Sequence, residues 1–155
     1  TSYLRPGSTL LDMGCGPGFF SIAMAKMAGP SGQVIALDLQ REMLDKVARK
    51  ARKKGLEDRI RLHQCPQDNL GLDPDIKADF ILAFYMVHET PDPRKFFIQA
   101  KPHLKPGGRF LVVEPRFHVT RKKFAQISEY ALDAGFEIIG RPSGKGGPSL
   151  LLGIG

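Results

Sequence analysis

The sequence predicts an α/β fold, a mostly parallel open sheet covered by helices, and three observations carry that reading. Short apolar runs of strand character alternate with helix-patterned segments along the 155 residues. Residues 79–85, DFILAFY, are apolar enough to be buried on both faces, as a central parallel strand is. The first strand opens into 10–18, LLDMGCGPG, a glycine bend that feeds a helix. With 42% apolar residues the chain buries one core, so a single domain over 1–155 is expected.

Arg5, Pro6 and Gly7 turn the chain into the first strand, Thr9–Met13. After Asp12, glycines stand at 14, 16 and 18, where they permit positive φ and let a ligand approach bare N–H groups. Helix A, Phe19–Ala28, follows with Phe20, Ala23, Met24 and Met27 at helical spacing, and stops at Gly29 and Pro30. Its free N–H groups and dipole suit the anionic part of a nucleotide-like ligand. The register is G-x-G-x-G; the third glycine of the dinucleotide pattern G-x-G-x-x-G is replaced by Phe19. Asp12 would also face a pyrophosphate unfavourably, so a ligand that carries positive charge fits better.

The second strand, 33–37, closes on Asp38, 24 positions beyond Gly14 and near the separation of about 20 expected of a ribose-binding acid. An acid there stands beside the ligand crevice and can accept both ribose hydroxyls; the alternative is a cap for the helix that starts near Arg41. Leu39 and Met43 lie against the nucleoside or in the core. Helix B, 41–54, turns Leu44, Val47, Ala48 and Ala51 inward and has Gly55 as its C-cap. Its outer run Arg49, Lys50, Arg52, Lys53 and Lys54 reads as a solvated face. The third strand, Ile60–Gln64, leads to Cys65 and Pro66, with Asp68 the nearest acid.

The fourth strand, 79–85, passes Phe84 and runs into Met86, Val87, His88 and Glu89. Asp92 caps the next helix and Pro93 takes its first position; Phe96, Phe97 and Ala100 form its apolar face and Pro102 ends it. Residues 104–108, LKPGG, then turn into the fifth strand, 109–113, which closes on Glu114 and Pro115. Thr120 caps a helix through Ala134 that ends at Gly135. Two last strands, 136–140 and 149–154, are joined by the glycine- and proline-rich 141–148.

The segment LLDMGCGPG resembles the first motif of class I S-adenosylmethionine-dependent methyltransferases, of the small UbiE-like, methyltransferase-domain type. The LKPGG segment and the region around His88, similar to the family's L-H-H segment with His88 in the first histidine position and Glu89 in place of the second, extend the resemblance from Arg5 to the end. It implies a Rossmann-like, doubly wound, seven-stranded sheet of order 3-2-1-4-5-7-6 with strand 7 antiparallel. It also implies S-adenosyl-L-methionine as cofactor and S-adenosyl-L-homocysteine as product. Gly14, Cys15, Gly16 and Gly18 would hold the methionine end, Asp12 would sit near its ammonium, and Asp38 would bind ribose. Where many relatives have Gly-Asp-Ala after the third strand, this chain has Cys65 and Pro66, so Asp68 or backbone near Cys65 would meet adenine. Phe84 completes the expected cofactor site. The Asn/Asp-Pro-Pro-aromatic signature of amide and adenine N-methyltransferases is missing. The N-terminal helical segment that shapes the family's acceptor pocket is expected to be lacking from a chain that opens at Thr1.

Methyl transfer needs the nucleophile held in line, with a base if it arrives protonated. His88, Glu89 and His118 fall just beyond carboxyl ends of strands and are the catalytic candidates, each with a capping or packing role as the alternative. Tyr85 lines the methyl site or packs in the core. No His, Cys, Asp or Glu set has ligand spacing, so no metal is expected. Cys15 and Cys65, on strands that flank a shared neighbour, stand about 9 to 10 Å apart, beyond disulfide reach. Free thiols, no apolar run of about 18 residues and no leader read as a cytoplasmic chain without membrane contact.

Lysine and arginine number 23 against 16 acids, a formal charge of +7. Three functions fit: a methyltransferase for a small molecule; one for RNA or protein, which the charge favours; or a non-catalytic domain that binds the nucleoside cofactor or NAD.

Overall fold

The computed structural model describes residues 4–155, so residues 1–3 of the expected 1–155 domain lie outside the described residues. Strands β1 (Thr9–Met13), β2 (Gln33–Asp38), β3 (Ile60–Gln64), β4 (Ala78–Phe84), β5 (Leu104–Val113), β6 (Glu137–Gly140) and β7 (Ser149–Gly153) form one sheet. Their order is β3-β2-β1-β4-β5-β7-β6, as the family resemblance implies. All pairs are parallel except those of β7, which lies antiparallel between β5 and β6.

Strand alternation divides the core between the two faces. Leu10, Val34, Phe80 and Leu82 point to one side, under helices α1 (Phe19–Ala28) and α2 (Arg41–Lys53). Leu11, Ile35, Ile81 and Phe110 point to the other, under α3 (Pro93–Ala100) and α4 (Arg121–Asp133). There Phe97, Phe110 and Phe136 meet edge to face or tilted, at 5.5 to 6.1 Å between centroids. The expected caps form: Asp92 accepts from Lys95 N–H at 3.1 Å, and Thr120 Oγ1 from Lys123 N–H at 3.1 Å.

Several boundaries differ from the sequence reading by a residue or more, and three have a clear local cause. The LKPGG segment belongs to β5 rather than to a turn before it: Ala78 pairs with Leu104 and Phe80 with Arg109, and the extra residues form a bulge where Gly107 takes φ +81°. Helix α2 is capped by Lys54, one residue before Gly55, whose φ of +67° then supplies the reversal. Strand β4 ends at Phe84 because Tyr85 adopts φ 60°, which takes the chain out of extended geometry. Among the described residues no helix is long and apolar enough to cross a membrane.

Candidate functional site

Chain order reverses between β1 and β4, and the crevice beyond the carboxyl ends of such strands is where open α/β sheets hold ligands. A cavity of about 590 Å³ lies there, within the range of small-molecule sites. Its floor is the bend after β1. Gly14 has φ +67°, and a Cβ on it would stand 2.9 Å from Met86 Cβ, so the chain after β4 lies directly against the bend. Gly16 also lines the cavity. Gly18 does not: a Cβ there would meet Val47 Cγ2 at 2.8 Å, so its φ of +94° lets α1 start hard against α2.

Asp38 closes β2 and is half-buried on the cavity wall. Gly16 N–H donates to its Oδ2 and Gln40 N–H to its Oδ1, each at 2.9 Å. One carboxylate thus ties the bend to the neighbouring strand and remains reachable. Asp12 behaves differently. It is 2% exposed, off the cavity wall, and accepts from Ser21 Oγ at 2.5 Å. Burial pushes its pKa up to about 6 against the Ser21 hydrogen bond, and the Asp38 charge adds to the rise. Cys15 is buried beside it and off the wall; burial and then the two carboxylates raise its thiol pKa strongly. Cys65 lines the cavity and is pushed up to about 11 by burial and by Asp38. Both cysteines are free thiols.

Leu39, Met43, Pro66, Asp68 and Phe84 also line the cavity. Of the three catalytic candidates, only Glu89 does. His88 stands behind it, its Nε2 3.7 Å from Glu89 Oε1 and its Nδ1 sharing a 2.5 Å hydrogen bond with Glu114 Oε2. His118 is exposed on the loop after β5, away from the wall. Among the described residues no group of three His, Cys, Asp or Glu side chains is placed to hold a metal ion.

One contributor is not singled out by sequence. Glu114 is fully buried at the end of β5, and its Oε1 accepts from Val87 N–H at 3.1 Å. Burial raises its pKa, while His88 and the Val87 N–H oppose the rise. It anchors the single 3₁₀ turn Val87–Glu89 that presents Glu89 to the cavity. The signal was a lone acid straight after an apolar strand. Tyr85 uses its positive φ to stack on Phe84, 3.9 Å between centroids and 26° between planes, although successive strand residues ordinarily face opposite ways. Its hydroxyl donates to Gly146 O in the loop between β6 and β7. The wall holds Asp38, Asp68, Glu89 and Asp92 against one cation, Lys95.

Residues 4–137 match the family model described as a methyltransferase domain. A demethylmenaquinone methyltransferase of Lactobacillus johnsonii is 33% identical over 72% of this chain and 45% of its own length. A ubiquinone/menaquinone biosynthesis C-methyltransferase of Vibrio vulnificus is 30% identical over 87% of this chain and 53% of its own. The chain thus spans about half the length of these relatives. Among solved structures, a SAM-dependent methyltransferase from Aquifex aeolicus superposes with a TM-score of 0.81 at 28% identity, covering 97% of this chain and 84% of that one. With the seven-stranded Rossmann-like sheet, a close structural superposition and a family match over most of its length, the chain belongs to the class I S-adenosylmethionine-dependent methyltransferases.

Proposed function

We propose that this domain binds S-adenosylmethionine in the cavity between β1 and β4 and transfers its methyl group to a small-molecule acceptor. The observation that carries the reading is the placement of Asp38 on the same cavity as the glycine bend, hydrogen-bonded to Gly16 N–H. The residues fit the cofactor. Asp38 can exchange its backbone donors for ribose hydroxyls, Leu39 and Met43 offer apolar contact to the nucleoside, and Pro66 and Asp68, on the same wall, would meet adenine. Gly14, Gly16 and the carbonyls and N–H groups of the bend take the amino-acid end. Asp12 with Cys15 and Gly18 supports that bend from beneath, and the Asp12 charge favours an ammonium above it.

The bound cofactor supplies an electrophilic methyl and a neutral thioether leaving group. The chain has to hold the acceptor in line and to manage its proton. Glu89, on the wall and backed by His88 and Glu114, is placed to take a proton from an acceptor hydroxyl, while His118 is placed to act only if the acceptor reaches the loop after β5. The stacked Phe84 and Tyr85 offer a planar apolar face. That face and the relatives named for quinone biosynthesis make the reduced, quinol form of demethylmenaquinone, whose ring hydroxyl Glu89 can deprotonate, the first acceptor to assay. The acidic wall favours neutral or cationic groups inside the cavity. The second reading, an RNA or protein acceptor, draws on the +7 charge, which lies outside the cavity.

Calorimetry with S-adenosylhomocysteine and NAD, on the wild type and on Asp38→Ala, tests the reading. Binding of S-adenosylhomocysteine that Asp38→Ala weakens supports it. Tight NAD binding with no response to S-adenosylhomocysteine overturns it.

A further inference from the structure

The excess positive charge is unevenly placed. Residues 46–54 of α2 and its cap carry six exposed cations, but acids flank the run and pair at both ends of the helix: Arg41 with Asp45 at 3.3 Å and Arg52 with Glu57 at 3.8 Å, with Glu42 and Asp58 nearby in sequence. Beyond β5 the pattern changes. Residues 115–128 and 141–148 contain no acid and carry Arg116, Arg121, Lys122, Lys123, Arg141 and Lys145, all exposed.

These two stretches form one surface. Glu114 N–H donates to Pro148 O at 3.0 Å, and Arg116 Nη2 to Gly144 O at 3.3 Å. A Cβ on Gly147 would collide with Glu114 O, so the loops touch through backbone. Tyr85, on the cavity wall, reaches the same surface through Gly146. Next to Arg116 in the first stretch stands Phe117, 96% exposed.

We propose that this rim is a docking surface for single-stranded nucleic acid, a partner that goes beyond the reading of the cavity and stands whichever group is methylated. The cations neutralise phosphates, and Phe117 offers a face on which an unpaired base stacks. The cavity wall, with four carboxylates and one lysine, rejects phosphate, so a strand keeps its backbone on the rim. A bilayer is a poorer fit, because interfacial binding takes a face of several apolar side chains and this rim exposes one large ring among six cations.

The test uses fluorescence anisotropy of a labelled 20-nucleotide oligouridylate with the whole chain. Binding is expected at 50 mM salt and should weaken about 100-fold by 200 mM, the loss due to release of several counterions. The variant R121Q/K122Q/K123Q should bind at least about tenfold more weakly with a shallower salt slope. F117A should lose about tenfold with the slope unchanged. The control K50Q/R52Q/K53Q on α2 should bind like the wild type. These side chains are exposed, so calorimetry with S-adenosylhomocysteine should give the same affinity in every variant. That measurement separates failure of this proposal from failure of the cofactor reading. No binding at 50 mM salt, equal losses in the rim and α2 variants, or binding to phosphatidylglycerol-containing vesicles but not to the oligonucleotide overturns it.

Discussion

Asp38 and Glu114 occupy equivalent places, each the acid where a parallel strand of the sheet runs out, and each accepts hydrogen bonds from a neighbouring loop. Asp38 is half-buried and takes two backbone N–H groups that water or a ligand can replace. Glu114 is fully buried; it accepts from the Val87 N–H and shares a hydrogen bond with the His88 ring. The same residue class in the same topological position therefore does two jobs. A reachable carboxylate can trade its partners for a substrate; an enclosed one fixes the shape of what stands in front of it.

The largest expected effect tests the enclosed acid. Glu114→Ala leaves the Val87 N–H and the His88 ring without their partner and should destabilise the fold by about 3 to 5 kcal/mol in urea denaturation. Glu114→Gln, which still accepts from Val87, should cost clearly less. An alanine variant as stable as the wild type would put Glu114 in the same class as Asp38.

Asp12 provides the next test, since it is enclosed like Glu114 but sits in β1 just before the glycine bend. Its folded pKa, about 6, lies above the ordinary carboxylate value of 3.8, so the folded state prefers the protonated form. Its contribution to stability is complete below pH about 3.8 and is lost as pH rises through about 6. Relative to Asp12→Asn, the wild type should lose about 2 to 3 kcal/mol between pH 4 and pH 7, read from denaturation midpoints. A flat difference between the two proteins across that window would show Asp12 to be solvated in solution.

The reachable acid should affect binding more than folding. Asp38→Ala should lower affinity for S-adenosylhomocysteine by about 10- to 100-fold, equivalent to about 1.4 to 2.7 kcal/mol, with a smaller change in stability. Equal losses of stability and affinity would make Asp38 a structural tie. The smallest effect concerns Asp92, which lines the cavity and also caps α3. Asp92→Ala should cost about 1 kcal/mol of stability. A cost near zero would leave Asp92 free to act as a ligand contact.

Much of the cofactor half was legible in sequence because its constraints are local. A bend needs glycines, and the strand, bend and helix follow one another within about twenty residues, so spacing alone sets Gly14 and Gly16 against one cavity with Asp38. The same spacing could not tell Gly18 from its neighbours, because its partner is Val47 on another helix. Nor could it show that Asp12 is covered, since burial depends on Ser21 and the packing above it.

The acceptor half resisted for the opposite reason: its contacts join residues far apart in the chain. His88 meets Glu114 across 26 positions and Tyr85 meets Gly146 across 61. Alternation, caps and turn residues determined the seven strands and four helices, because those signals act over a few residues and sum along each element. Which acids face solvent, which histidine stands behind the wall and where the unbalanced cations gather were decided only by tertiary structure. Burial and electrostatic surroundings belong to the neighbours a side chain acquires when distant segments pack, and one-dimensional order does not contain them.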